Sequence, residues 1–137
     1  MSAKGPVLAL REAMLARLAG DAALTEMLCG ARIYDAPPRG IHGVHAVFSE
    51  TRLRDWSTGT DNGHEQDVFI TVWSGEGGAR AALLAATRIA ALLDDAALAL
   101  DGHRLVNLRL AASETRRDAR ADRQRVVLRL RAVTEVL

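Results

Sequence analysis

The sequence predicts an α+β fold in which one mainly antiparallel sheet of about four strands carries two main helices. Apolar residues recur with the helical period near the N-terminus and again in the middle of the chain. Two other stretches alternate apolar and polar residues with a period of two, which is typical of strands. The resulting element order is α-α-β-β-α-β-β, and we expect the helices on one face of the sheet.

Composition places the chain among ordinary folded proteins. With 137 residues, 49% hydrophobic and 26% charged, it fits a single domain spanning 1–137. A formal net charge of +1 does not indicate a generally basic nucleic-acid binder. The single cysteine, Cys29, rules out an internal disulfide framework.

The first two elements are predicted to be helices. Pro6 suits the first turn of a helix that runs to Gly20, and Asp21 can cap a short second helix through Leu28. The first helix has its apolar residues on one face: Val7, Leu10, Met14 and Leu18.

The next two elements are predicted to form a hairpin. Strands over 44–50 and 67–74 flank a polar stretch rich in turn formers, so we expect a long, mobile tip over 51–64. Both faces of the second strand carry bulky residues, which predicts a central position in the sheet. Its two faces are Val68, Ile70 and Val72 against Phe69, Thr71 and Trp73.

The C-terminal half is predicted to be a helix followed by two strands. The helix covers 79–94, with Leu83, Ala86, Ile89, Ala90 and Leu93 as its packing stripe. A strand over 104–112 follows the Asp101-Gly102 turn, with Val106, Leu108 and Leu110 on one side. The last strand covers 123–136 after a tip at 116–122.

The last strand separates charge from apolar surface. Its period of two places Val126, Leu128, Leu130 and Ala132 on a core face and Arg123, Arg125, Arg129 and Arg131 on the other. A solvated face and a contact surface are both open interpretations of this arginine row.

No motif indicates catalysis or a cofactor. The glycine-rich turn at 75–78 lacks both the dinucleotide fingerprint and a P-loop lysine. His42 and His45 have no further ligands at zinc spacing, and His64 beside acidic residues is explained by a turn. We therefore expect no enzyme, no metal and no cofactor. The N-terminus does not resemble a signal peptide, and no stretch is long and apolar enough to span a membrane.

Two polar tips are the candidate contact regions. Trp56 either folds back onto the core or anchors a subunit or tail contact, together with Arg52, Arg54 and Asp55. The second candidate region either forms a ring interface, with ion pairs to acids such as Glu114 or Glu135, or lines a lumen through which DNA passes. Its residues are Arg116, Arg117, Arg120, Arg123, Arg125, Arg129 and Arg131.

Four stretches resemble a known family. They are ARIYDAPP at 31–38, RDWST at 54–58, VFITVWS at 68–74 with GG at 77–78, and LDGHRLVNL at 100–108. Together with the helix order, they make the chain similar to the tail terminator (tail completion) proteins of long-tailed phages and phage-like gene transfer agents.

The resemblance implies a structural virion protein without an active site. It implies a hexameric ring that caps the head-proximal end of the tail tube, stops polymerisation of the tube protein and docks to the head connector, with DNA crossing its centre. The implied locations are the particle and, during assembly, the cytoplasm of the producing bacterium.

Three alternatives remain open at this point. They are another connector or stopper component of the same particle, a nucleic-acid-binding module that uses the arginine face, and a small enzyme with an unrecognised site.

Overall fold

The computed structural model describes residues 4–75, 78–120 and 123–137. Within these residues, three helices lie on one face of a six-stranded sheet with the strand order β1-β2-β3-β6-β5-β4. The strands are β1 (Ile33–Tyr34), β2 (His45–Asp55), β3 (Gly63–Trp73), β4 (Ala99–Leu100), β5 (His103–Asp118) and β6 (Arg123–Val136). The α+β class is confirmed.

The prediction of about four strands is corrected to six, and the sheet is mixed. The two additional strands, β1 and β4, are only two residues long. Such short segments have no alternation pattern that a sequence could display. β1 pairs with β2 in parallel, whereas the other neighbours are antiparallel.

The helices form close to their predicted positions. α1 (Pro6–Ala19) begins at its proline and is followed by Gly20 as its C-cap residue. α2 (Ala22–Met27) is capped by the Asp21 side chain, which accepts a hydrogen bond from the backbone N–H of Leu24 at 2.9 Å. Because Arg88 also donates to this carboxylate at 2.6 and 2.9 Å, the pKa of Asp21 falls to about 2. This ion pair joins α2 to α3 (Arg80–Leu93).

The core lies between the helices and one face of the sheet, here called the inner face. The predicted inner residues of β3 and β6 are all buried. On α3 the predicted stripe is partly wrong, because Leu83 is exposed and Ala82, Ala85 and Leu92 are buried instead. Small alanines therefore face the sheet and allow the helix to approach it closely.

Both hairpins are longer than predicted. β2 and β3 pair as far as Asp55 with His64, so the first tip is 56–62 and not 51–64. β5 and β6 pair as far as Asp118 with Arg123, and residues 119–120 are the described part of the second tip. The strand ends consist of polar residues, and polar composition is typical of loops, so the sequence predicted loops there. Residues 121–122 of the predicted tip lie outside the described residues.

The two tips lie at opposite ends of the sheet. Gly63, at the first tip, pairs with Glu135 near the end of β6, whereas Trp73 pairs with Arg125 near its start. β6 has 14 residues, so the tips are roughly 45 Å apart along it.

Candidate interaction surface on the outer sheet face

The sheet face opposite the helices, here called the outer face, carries the predicted arginine row. Arg131 lies directly across from Asp67, Arg129 from Phe69 and Arg125 from Trp73. The intervening residues Val126, Leu128, Leu130 and Ala132 are buried on the inner face. The predicted alternation of β6 is confirmed, but the guanidinium groups have different surroundings.

Glu65 joins three neighbouring strands through ion pairs. Its carboxylate accepts hydrogen bonds from Arg54 on β2 at 3.0 Å and from Arg131 on β6 at 2.9 Å. Arg54 also donates to Asp67 at 3.2 Å. The Glu65 side chain is only 8% exposed, and the two guanidinium groups hold its pKa below the usual range. Arg54 and Arg131 are thus neutralised within a single chain.

At the first tip, Trp56 contacts Arg131, one of the two arginines paired with Glu65. The Arg131 guanidinium lies 5.7 Å from the centre of the indole ring, which is a cation–π distance. The indole is nevertheless 54% exposed, so it is not part of the core. Asp55 begins the tip by accepting hydrogen bonds from the Ser57 backbone N–H at 3.1 Å and its hydroxyl at 2.6 Å, and these bonds lower the pKa of Asp55.

Trp73 organises the other end of the arginine row. Arg123 and Arg125 stack on its ring at 5.0 and 5.3 Å from the centre. Within the described residues, neither guanidinium has a carboxylate partner, and Arg129 has no hydrogen bond, ion pair or ring contact of its side chain. Among the described residues, positive charge on the outer face without an ion-paired carboxylate is therefore concentrated in these three residues, although Asp118 lies directly opposite Arg123 in the strand register.

The acids suggested as partners of the arginine row are already paired elsewhere. Arg116 donates to Glu114 on the same strand at 2.8 Å, and Glu135 pairs with Arg104. Arg117 is exposed near the end of β5, and the Arg120 backbone N–H bonds Asp118 at 3.1 Å. Arg52 bonds Glu50 at 3.2 Å and lies over Phe69.

The residues considered for catalysis or metal binding do not come together. His64 occupies the inner-face register of β3, whereas its acidic neighbours Glu65 and Asp67 face outward. His45 is buried and bonds the Gly43 carbonyl at 3.0 Å, and its burial lowers its pKa. Across residues 4–75, 78–120 and 123–137, no group of three or more His, Cys, Asp or Glu side chains is arranged to hold a metal ion. None of the described helices has the length and apolar character needed to span a bilayer.

Comparison with known proteins identifies the family. The family model described as "Tail completion protein gp17" matches residues 12–135. The chain belongs to this tail completion family. A solved structure titled "Virion of native gene transfer agent (GTA) particle" contains a chain with a TM-score of 0.87 and 32% identity, and the match covers 94% of this chain and 96% of that one. No curated protein matches the sequence.

Family membership defines the class of function. A tail completion protein is a structural component of a phage or gene transfer agent virion. The resemblance inferred from the sequence is confirmed, and all four matching stretches lie within residues 12–135.

Sequence reasoning missed the free edges of the sheet. Among residues 4–75, 78–120 and 123–137, β2 has no partner strand along its free edge beyond Val47, and β5 has none along its free edge beyond Arg104. Each free edge carries the same tetrapeptide, Ser-Glu-Thr-Arg, at residues 49–52 and 113–116. That repeat was visible in the sequence, but its placement on two edges required the strand order.

Proposed function

We propose that six copies form a ring at the head-proximal end of the tail tube. The ring stops polymerisation of the tube protein, joins the tail to the head connector and leaves a central passage for DNA. The family match supports the tail role.

The observation that carries the proposal is the position of the two tips. A cyclic ring has two different end faces, and a protein that joins two structures needs a contact region on each. The first tip presents the exposed Trp56, and the second presents Arg120. Because they lie at opposite ends of the sheet, a ring axis roughly parallel to the strands would display one tip on each face.

The outer face supports passage of DNA without tight binding. Arg54, Arg116 and Arg131 are neutralised by carboxylates of the same protomer, which leaves Arg123, Arg125 and Arg129 as the guanidinium groups best placed to meet phosphate. Affinity for DNA rises with the number of phosphates neutralised, so few uncompensated charges per protomer favour transit over retention.

The proposal is tested with purified protein and its tube protein. Native mass spectrometry should show a hexamer, alone or in the presence of the tube protein, and electron microscopy should show tubes that stop growing with the protein at one end. A protein that binds the connector but leaves tube growth unchanged would indicate the stopper role instead. A monomer that binds DNA, with an affinity that falls steeply with salt, would indicate the nucleic-acid-binding module.

A further inference from the structure

Two segments of the sheet have a free hydrogen-bonding side and matching geometry. Residues 50–54 of β2 and 112–116 of β5 are regularly paired on one side only, within the described part of the chain. Register shifts adjoin both segments, between Phe48 and Glu50 in β2 and between Leu110 and Ala112 in β5. Nearly all the residues of both segments are exposed. Free edges of this kind accept an additional strand.

The two segments are complementary in charge when they run antiparallel. With Thr51 opposite Thr115, Glu50 lies opposite Arg116 and Arg52 opposite Glu114. All four charged side chains belong to the outer face, because their register partners are Phe69, Asp67, Val127 and Arg125. Opposite charges directly across two antiparallel strands stabilise their pairing.

The same alignment places an exposed apolar side chain beside an apolar groove. Leu53 of β2 is 44% exposed and would lie opposite Ser113. Ser113 lines a groove of about 250 Å³ between α3 and β5, together with Leu83, Ala86, Thr87, Ala90, Leu110, Val126 and Leu128. Leu53 and this groove belong to the same inner face of the sheet, so one contact would bury both.

Strand direction agrees with this pairing. β2 and β5 are three antiparallel steps apart in the sheet, so they run in opposite directions. A neighbour related by rotation about an axis along the strands keeps its orientation, and its β2 would therefore meet β5 in the antiparallel sense.

We propose that β2 of one copy pairs with β5 of the next, with residues 50–54 opposite 116–112, so that the sheets of neighbouring copies join edge to edge. The occupant of each free edge is thus a second copy of this chain. This inference rests on the ring proposed above and specifies its interface.

Charge reversal tests the predicted pairs. Glu50→Arg places arginine opposite Arg116, and Arg116→Glu places glutamate opposite Glu50. Each single variant should raise the protein concentration needed for half-assembly about tenfold, and the double variant should restore assembly. Within one protomer the double variant only disrupts the Glu50–Arg52 and Glu114–Arg116 pairs, so recovery requires a contact between copies.

The matched control is Glu26→Arg, which reverses an exposed acid on α2 and should leave assembly unchanged. Oligomer mass is followed by native mass spectrometry with and without the tube protein, and folding is verified by circular dichroism.

Disulfide trapping tests the register independently. In a Cys29→Ser background, which removes the exposed free cysteine, Thr51→Cys protein is mixed with Thr115→Cys protein. Cα atoms directly opposite in antiparallel strands are about 4.5–5.5 Å apart, within the range for a disulfide. Oxidation should give a covalent dimer from the mixture and much less from Thr51→Cys mixed with Ser113→Cys.

The outcomes separate the two proposals. A wild-type hexamer whose assembly is unaffected by the single reversals, with no Thr51–Thr115 dimer, would overturn edge pairing and leave the ring standing. A wild-type protein that stays monomeric with and without the tube protein would overturn both. Weakening by each single variant, rescue by the double variant and selective trapping together would establish the interface.

Discussion

Adjacent residues of β6 should have separable roles, because the strand buries one face and exposes the other. Leu130 is 0% exposed, on the inner face, and Leu130→Ala leaves a cavity there. Such truncations cost about 2–5 kcal/mol, and we take about 3 kcal/mol. With an unfolding entropy of about 2.1 cal/mol/K per residue, a chain of 137 residues should lose roughly 10 °C in Tm.

Arg129→Glu should leave stability nearly unchanged and should act on particle assembly instead. Its side chain is exposed and has no partner within the described residues, and surface substitutions of this kind change stability by about 0.5 kcal/mol or less. The expected loss in Tm is below about 2 °C. If Arg129 faces DNA in the lumen, the yield of filled, tailed particles should fall in Arg129→Glu and recover in Arg129→Lys.

The assays are thermal and urea unfolding followed by circular dichroism, and particle counts by electron microscopy from producing cells. Similar losses of stability in Leu130→Ala and Arg129→Glu would refute the two-faced description of β6. Unchanged particle yield in Arg129→Glu would refute its contact with DNA.

Three further predictions concern other contacts. Trp56→Ala should reduce oligomer mass or binding to the tube protein while leaving Tm nearly unchanged, since Trp56 is 54% exposed; unchanged oligomer mass together with unchanged binding to the tube protein would exclude Trp56 from both contacts. Asp21 has a pKa of about 2 against an ordinary 3.8, so its ion pair stabilises the fold above about pH 4 and is lost as the pH falls towards 2. In that window Asp21→Asn should flatten the pH dependence of the free energy of unfolding measured with urea. The same pH dependence in Asp21→Asn and wild type would contradict this assignment. Gly43→Ala should destabilise the fold by about 1–2 kcal/mol, because φ is +80° and the added Cβ would lie 3.0 Å from an Arg32 nitrogen; urea unfolding measures the loss, and Gly5→Ala, with open space around it, is the control.

The parts of the fold that follow from short-range patterns were predictable. The limits of β6 agree with the structure, and α1 starts at Pro6 as expected. Alternation and helix signals are properties of neighbouring residues, so one sequence displays them.

Features that depend on distant partners were not predictable. Arg54 lies in the predicted tip and Glu65 lies just before the predicted strand over 67–74, yet the two pair across β2 and β3 beside Arg131 of β6. Similarly, Leu83 has the helical spacing of a core residue but is 43% exposed, because the sheet meets a neighbouring face of α3. Such arrangements depend on the strand order and on how the helices lie on the sheet.

The register shifts in β2 and β5 would also determine ring size. Strands that join edge to edge around a closed ring must tilt, and the tilt is linked to the stagger between neighbours and to the number of strands. The shifts at Phe48/Glu50 and Leu110/Ala112 lie next to the paired segments and disfavour sliding of β2 along β5 of the next copy by two residues. Such sliding would also place like charges opposite each other. The stagger between copies would then have one value, and the number of copies needed for closure would follow from it.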